Sequence, residues 1–149
     1  MPSNSESRVS AATAYRESAK ALLTAGERVL LVAERHSDGT PFWTLPGGGV
    51  DAGETTTEGL ARELREELSC SVAVCSELTP LWYAHTGPEH DVSRWRVYRC
   101  QQQSTIDPNL RAGIVDARWV HPEELPPETL LHVRYLLGRV DLPMEVAPL

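Results

Sequence analysis

Hydrophobic and polar positions fall into blocks whose period changes along the chain. Residues 18–25 and 28–35 are two apolar runs divided by Ala25-Gly26-Glu27, and they predict an antiparallel hairpin. Val29, Leu30, Leu31 and Val32 give its second strand a buried character. A turn cluster, His36-Ser37-Asp38-Gly39-Thr40-Pro41, leads into a short strand over 42–45, stopped by Pro46 and followed by a loop of three glycines, Gly47–Gly49. The period then becomes helical. Thr55 and Glu58 form a capping-box signal, and Leu60, Leu64 and Leu68 repeat every four residues, as on the buried stripe of an amphipathic helix. Residues 71–85 predict one or two strands, with Pro80 at a bend or edge. Residues 92–102 predict another, with Trp95 and Val97 alternating against Arg94, Arg96 and Tyr98. A strand over 114–121, a helical turn at Pro122 and a closing helix over 127–140 complete the series. Strands first, one helix in the middle and one at the end make a mixed α/β domain.

A chain of 149 residues suits one domain with a substantial core. Residues 1–13 are Ser-rich and read as a flexible N-terminal segment, residues 14–140 as the single domain, and 141–149 as a C-terminal tail. The start has no apolar stretch of the secretory kind, and no apolar run approaches the roughly 18 residues of a membrane span. Cys70, Cys75 and Cys100 have no metal-type spacing and read as core or bystander thiols of a reducing compartment. The cytoplasm is the expected location, with no membrane partner. The net charge of −7 argues against a broad nucleic-acid footprint, so no nucleic-acid partner is expected. A small anionic substrate needs local help from metal ions, arginines or backbone amides. Of the 14 basic residues only Lys20 is a lysine, a bias that fits either a high-salt cytoplasm or a GC-rich genome.

On the central helix Glu63, Glu66 and Glu67 share a sector roughly 100° wide beside the leucine stripe. Clustered acids usually mean a solvated face. Glu63 and Glu67, one turn apart, repel by a few tenths of a kcal/mol, and a hard divalent cation turns that cost into a binding site.

The spacing decides between these readings. Gly48, five residues, Glu54, seven residues, then Arg62-Glu63-Leu64-Arg65-Glu66-Glu67 resembles the Nudix box, Gx5Ex7REUxEExGU with U aliphatic. Trp43-Thr44-Leu45-Pro46 before the box and Ala117-Arg118-Trp119-Val120 near the end also resemble that family, so the likeness covers about residues 14–138. Ser69 and Cys70 depart from it, standing where the family has Gly and an aliphatic residue. Gly at the first position would serve as a left-handed helix cap, so Ser69 must take that geometry at some cost or the helix must end differently. The extra carboxylate that many members carry before the Arg-Trp strand has only Asp116 nearby here, with Glu89 and Asp91 as competing candidates.

The resemblance implies a Nudix-type α/β/α sandwich with a mixed β-sheet. It also implies metal-dependent hydrolysis of a phosphoanhydride bond in a nucleoside diphosphate derivative: a nucleotide sugar such as ADP-ribose, a (deoxy)nucleoside triphosphate including oxidised ones, or a dinucleoside polyphosphate. Mg²⁺, or Mn²⁺ in its place, would be held by Glu63, Glu66 and Glu67 with the Gly48 or Gly49 carbonyl. Glu63 is the candidate base, and Glu54 and Arg62 form the pair that braces loop against helix. Family members are often dimers, so a homodimer is a possible assembly. For substrate the candidates are Arg94 and Arg96, as bidentate phosphate readers, and Trp82 or Tyr83, as a base-stacking surface. The alternative function is a non-catalytic Nudix-fold module that senses a nucleotide, against which the intact acids argue. Hydrolysis at an RNA 5′ end is disfavoured by size and charge.

Overall fold

The structure, a computed structural model, describes residues 15–84 and 92–140. In chain order the elements are β1 (Tyr15–Ala25), β2 (Arg28–Arg35), β3 (Pro41–Thr44), β4 (Gly47–Gly49), α1 (Thr56–Leu68), β5 (Val72–Glu77), β6 (Leu81–Ala84), β7 (Val92–Gln102), β8 (Asp116–Val120) and α2 (Leu131–Leu137). Short 3₁₀ turns lie at Leu110–Ala112 and Pro122–Glu124.

β1 is the hub because its apolar run is long enough to serve three partners. On one edge it runs parallel to β7 from Tyr15↔Val92 to Leu23↔Cys100. On the other it pairs antiparallel first with β4, Ser18↔Gly49 to Lys20↔Gly47, and only near its end with β2, Thr24↔Val29. The eight-stranded mixed sheet has the order β3-β2-β1-β7-β5, with β6 on β7 and β8 on β2. Between the β4 contact and the β2 contact the sheet divides, and the candidate site opens in that division.

Both faces of the sheet are covered, giving the α/β/α sandwich. Ala19, Ala21, Leu23, Leu30 and Val32 pack against the Leu60-Leu64-Leu68 stripe of α1. The alternate residues Leu22, Val29, Leu31 and Ala33 pack with Trp43, Trp95 and Val97 against Val133, Leu136 and Leu137 of α2. The period of two in the strands thus sorts one apolar run into two cores. Each fully buried leucine of the α1 stripe contributes about 2 kcal/mol of burial free energy. No helix among the described residues is long and apolar enough to cross a membrane.

Four local expectations change. The glycine run is a strand, since without side chains its backbone can lie against β1. The closing helix spans only 131–137; before it the chain turns at Pro127 and Glu128 and bridges to β3 at Thr129, with Trp43 N–H donating to the Glu128 carbonyl at 3.0 Å and Leu130 N–H to the Trp43 carbonyl at 3.0 Å. Backbone pairing with β3 takes those residues away from the helix. Tyr98, expected on the polar face of its strand, is buried beneath α1 because both faces of β7 are covered. Trp82, which as a tryptophan would be core by default, is 57% exposed. The expected flexible start through residue 13, the loop 86–91 and the tail from 141 lie outside the described residues.

Candidate active site

The site is built on two glycines where an added side chain would collide. Gly47 has φ +127°, and a Cβ there would overlap the Ala19 carbonyl oxygen of β1. A Cβ on Gly48 would stand 2.6 Å from the carboxyl carbon of Glu63. The strand is therefore pressed between β1 and the acid face of α1.

α1 is placed by its ends. The Thr55 hydroxyl accepts from Glu58 N–H at 3.1 Å, and the Glu58 carboxylate accepts from Thr55 N–H at 2.9 Å, closing the capping box. At the other end Ser69 takes the left-handed conformation, φ 54°, with its N–H donating to the Arg65 carbonyl. A serine thus does the work of the family's glycine, and the helix ends where the box predicts.

Arg62 gathers the acids and the strand. Its Nε donates to Glu54 Oε2 at 2.7 Å, one Nη to the Gly49 carbonyl at 2.9 Å, and the other to Glu63 at 3.1 Å and Glu66 at 3.2 Å. That guanidinium holds the Glu54 carboxyl below the usual carboxylate range. Glu67 points inward instead: it is 7% exposed, and its Oε1 accepts the Gly47 N–H at 2.9 Å.

The cleft has a volume of about 380 Å³. One wall is acidic, with Glu34, Glu63 and Glu67; Phe42, Tyr83 and Trp95 supply aromatic surface; Arg16 and Lys20 are its cations. His36 stacks on Phe42 and Tyr83 on His132, with centroids 4.3 and 4.1 Å apart. Burial pushes the Glu67 carboxyl up to about 8, against the pull of Lys20 and the Gly47 N–H. Burial also raises Glu34 and lowers Lys20, each partly offset by the other. For Glu67 the cost of burial outweighs the positive charge that Lys20 supplies.

Of the residues expected to bind substrate, Tyr83 lines the cleft. Trp82, Arg94 and Arg96 do not. Trp82 meets Tyr15 edge-on at 5.0 Å; Arg94 lies 3.5 Å from Glu17; Arg96 forms a fork with Glu77, at 2.7 and 2.9 Å. Asp116 accepts from Ala117 N–H at the start of β8, outside the cleft, whereas Glu89 and Asp91 lie outside the described residues. Among the described residues no three acid, His or Cys side chains converge on one point as they stand, since Arg62 draws Glu66 outward and Gly47 holds Glu67. The donors still suit a hard cation. Glu63 and Glu67 face the cleft beside a backbone stripped of side chains, all with oxygen ligands, and Glu67 is buried.

Arg16, Lys20, Glu34, His36 and Phe42 escaped the sequence reading. One signal was available: Lys20 interrupts an apolar strand, and lysine is seldom buried without a partner.

The sequence pattern of the NUDIX domain matches residues 14–137. The chain belongs to the Nudix family. An RNA pyrophosphohydrolase of Ruthia magnifica subsp. Calyptogena magnifica is 31% identical over 94 residues, 62% of this chain and 51% of the relative. An RNA pyrophosphohydrolase of Rhodopseudomonas palustris is 30% identical over 115 residues, 72% of this chain and 68% of the relative. The chain thus spans about half of the first relative and about two thirds of the second. A crystal structure of a MutT NUDIX hydrolase from Burkholderia pseudomallei superposes with a TM-score of 0.75 at 22% identity, covering 85% of this chain and 98% of that one. At that identity the match shows a shared Nudix fold.

Proposed function

We propose that this Nudix domain hydrolyses a phosphoanhydride bond in a small nucleoside diphosphate derivative, using Mg²⁺ or Mn²⁺. The observation that carries the reading is the convergence of Glu63, the buried Glu67 and the Gly47–Gly49 strand on one wall of the cleft. Glu63, Glu67 and the Gly48 carbonyl would hold the metal, with Glu66 joining from the neighbouring turn. When bound, the metal supplies positive charge to the phosphate oxygens and lowers the pKa of a water. Glu63 is the candidate proton acceptor. Arg62 and Glu54 keep strand and helix in register. Arg16, which reaches within 3.5 Å of where a Gly49 side chain would begin, is the phosphate contact we favour over Arg94 and Arg96, because it forms no ion pair among the described residues. Tyr83, Trp95 and Phe42 offer the aromatic surface for a base.

The second reading is the same bond cut at the 5′ end of RNA. The name of the curated relatives favours it; the charge of −7 favours the small nucleotide. Purified protein should be assayed with Mg²⁺ and with Mn²⁺ on nucleotide sugars, nucleoside triphosphates, dinucleoside polyphosphates and a 5′-triphosphorylated oligonucleotide. Turnover of free nucleotides above the oligonucleotide supports the first reading, and the reverse order supports the second. Tight nucleotide binding with no turnover on any of them would make the domain a nucleotide sensor.

A further inference from the structure

Lys20 is the only lysine of the chain, and it is 7% exposed within the buried run Ser18–Leu23 of β1. Burying an ammonium costs several kcal/mol unless it is well partnered. Its partners all belong to the site. Nζ donates to the Gly47 carbonyl at 3.0 Å and lies 4.7 Å from the centroid of the Trp95 ring. Burial lowers the Lys20 pKa, and the negative charges of Glu34, Glu67 and Glu63, which line the same cleft, oppose that shift. The glycine whose carbonyl it holds is the one whose N–H binds Glu67, so the ammonium and the acid grip one residue from its two sides.

We propose that Lys20 is a positioning residue that acts as the resident counter-cation of the acid wall. It holds Glu34, Glu63 and Glu67 together around Gly47 in the metal-free protein, and by its own charge it lowers the affinity of that wall for free divalent ions. The inference rests on the metal-dependent reading above. An ammonium that shares Gly47 with Glu67 and lines one cleft with Glu34 and Glu63 also repels a dication held by that wall. Even at water-like dielectric, a unit charge some 7 Å from a dication changes affinity on the order of tenfold.

The test is direct Mn²⁺ binding, by electron paramagnetic resonance of free Mn²⁺ or by calorimetry, to substrate-free protein. Lys20→Met keeps the length of the side chain and removes the charge; it should bind Mn²⁺ about tenfold tighter than wild type, and Lys20→Arg should stay near wild type. A loosened site cannot give tighter binding, so the sign separates this role from a merely structural one. Affinity that is unchanged or weaker in folded Lys20→Met overturns the proposal. If that variant does not fold, the pair Lys20→Met with Glu34→Gln removes one charge of each sign and should bind Mn²⁺ within about threefold of wild type, whereas a tenfold loss would overturn the idea. Failure of wild type to bind Mn²⁺ at all overturns the metal-dependent reading itself, and this inference with it.

Discussion

Arg62 and Glu54, eight residues apart, meet Nε to Oε2 at 2.7 Å, and the same guanidinium donates to the Gly49 carbonyl at 2.9 Å. One side chain therefore ties together the glycine strand, the turn before α1 and the acid face of α1. Arg62→Lys keeps a charge but loses the planar fork. It should lower kcat by tenfold or more, with a melting temperature close to wild type. Steady-state kinetics beside a thermal melt check this, and unaltered kcat would remove the bracing role.

Glu67→Gln keeps the shape and the hydrogen bond to Gly47 N–H but removes the charge. Activity should fall by orders of magnitude, on the scale seen when a charge-stabilising group is lost, while the fold persists. EDTA should silence wild type in the same way. Full turnover in the variant, or turnover indifferent to EDTA, contradicts the metal role.

The raised Glu67 carboxyl has a consequence for stability. Its folded pKa, near 8, lies above the ordinary 4.5, so the folded metal-free state binds the proton more tightly than the unfolded chain. The contribution is stabilising below about 4.5 and is lost as pH rises toward 8. Metal must displace that proton, so Mg²⁺ should raise the melting temperature more at pH 8.5 than at pH 6. Melts with Mg²⁺ or EDTA at both pH values test this; in Glu67→Gln the difference should shrink.

Gly47 and Gly48 should fail differently. Gly47→Ala drives a methyl into the β1 backbone, where nothing can yield, and should destabilise the fold by several °C or prevent it. Gly48→Ala first meets the end of the Glu63 side chain, which can swing away. That variant should melt near wild type yet lose Mn²⁺ affinity and activity. Paired melts and Mn²⁺ titrations separate the two positions.

Ser69 is exposed and is the only non-glycine with positive φ among the described residues. Ser69→Gly should stabilise by about 0.5–1 kcal/mol, about 2–3 °C in melting temperature for a domain of this size, without touching kcat. A fall in melting temperature would show that the serine earns its place by a contact other than its backbone.

Strand and helix content, the capping box, the leucine stripe and the Glu54–Arg62–Glu63 spacing were legible in the sequence because each depends on short-range period and local hydrogen bonding. The composition of the cleft was not. Arg16, Lys20, Glu34 and Phe42 lie on three strands, and only pairing and sheet twist bring them to the α1 acids. The same applies to Arg94 and Arg96: alternation put them on the polar side of β7, but tertiary contacts turned them to Glu17 and Glu77.

The stretch from Gly47 to Cys70 shows where the line falls. By itself the sequence determined that three acids share a helix face behind a glycine run, because helical geometry alone sets that. Only the tertiary structure decided that the run is a strand against β1, that Glu67 is buried while Glu66 faces out, and that a lone lysine stands among the acids. Those outcomes depend on which surfaces exclude water. Burial sets one glutamate apart from a row of ordinary ones, as a carboxyl that holds its proton to about 8 against the pull of that lysine.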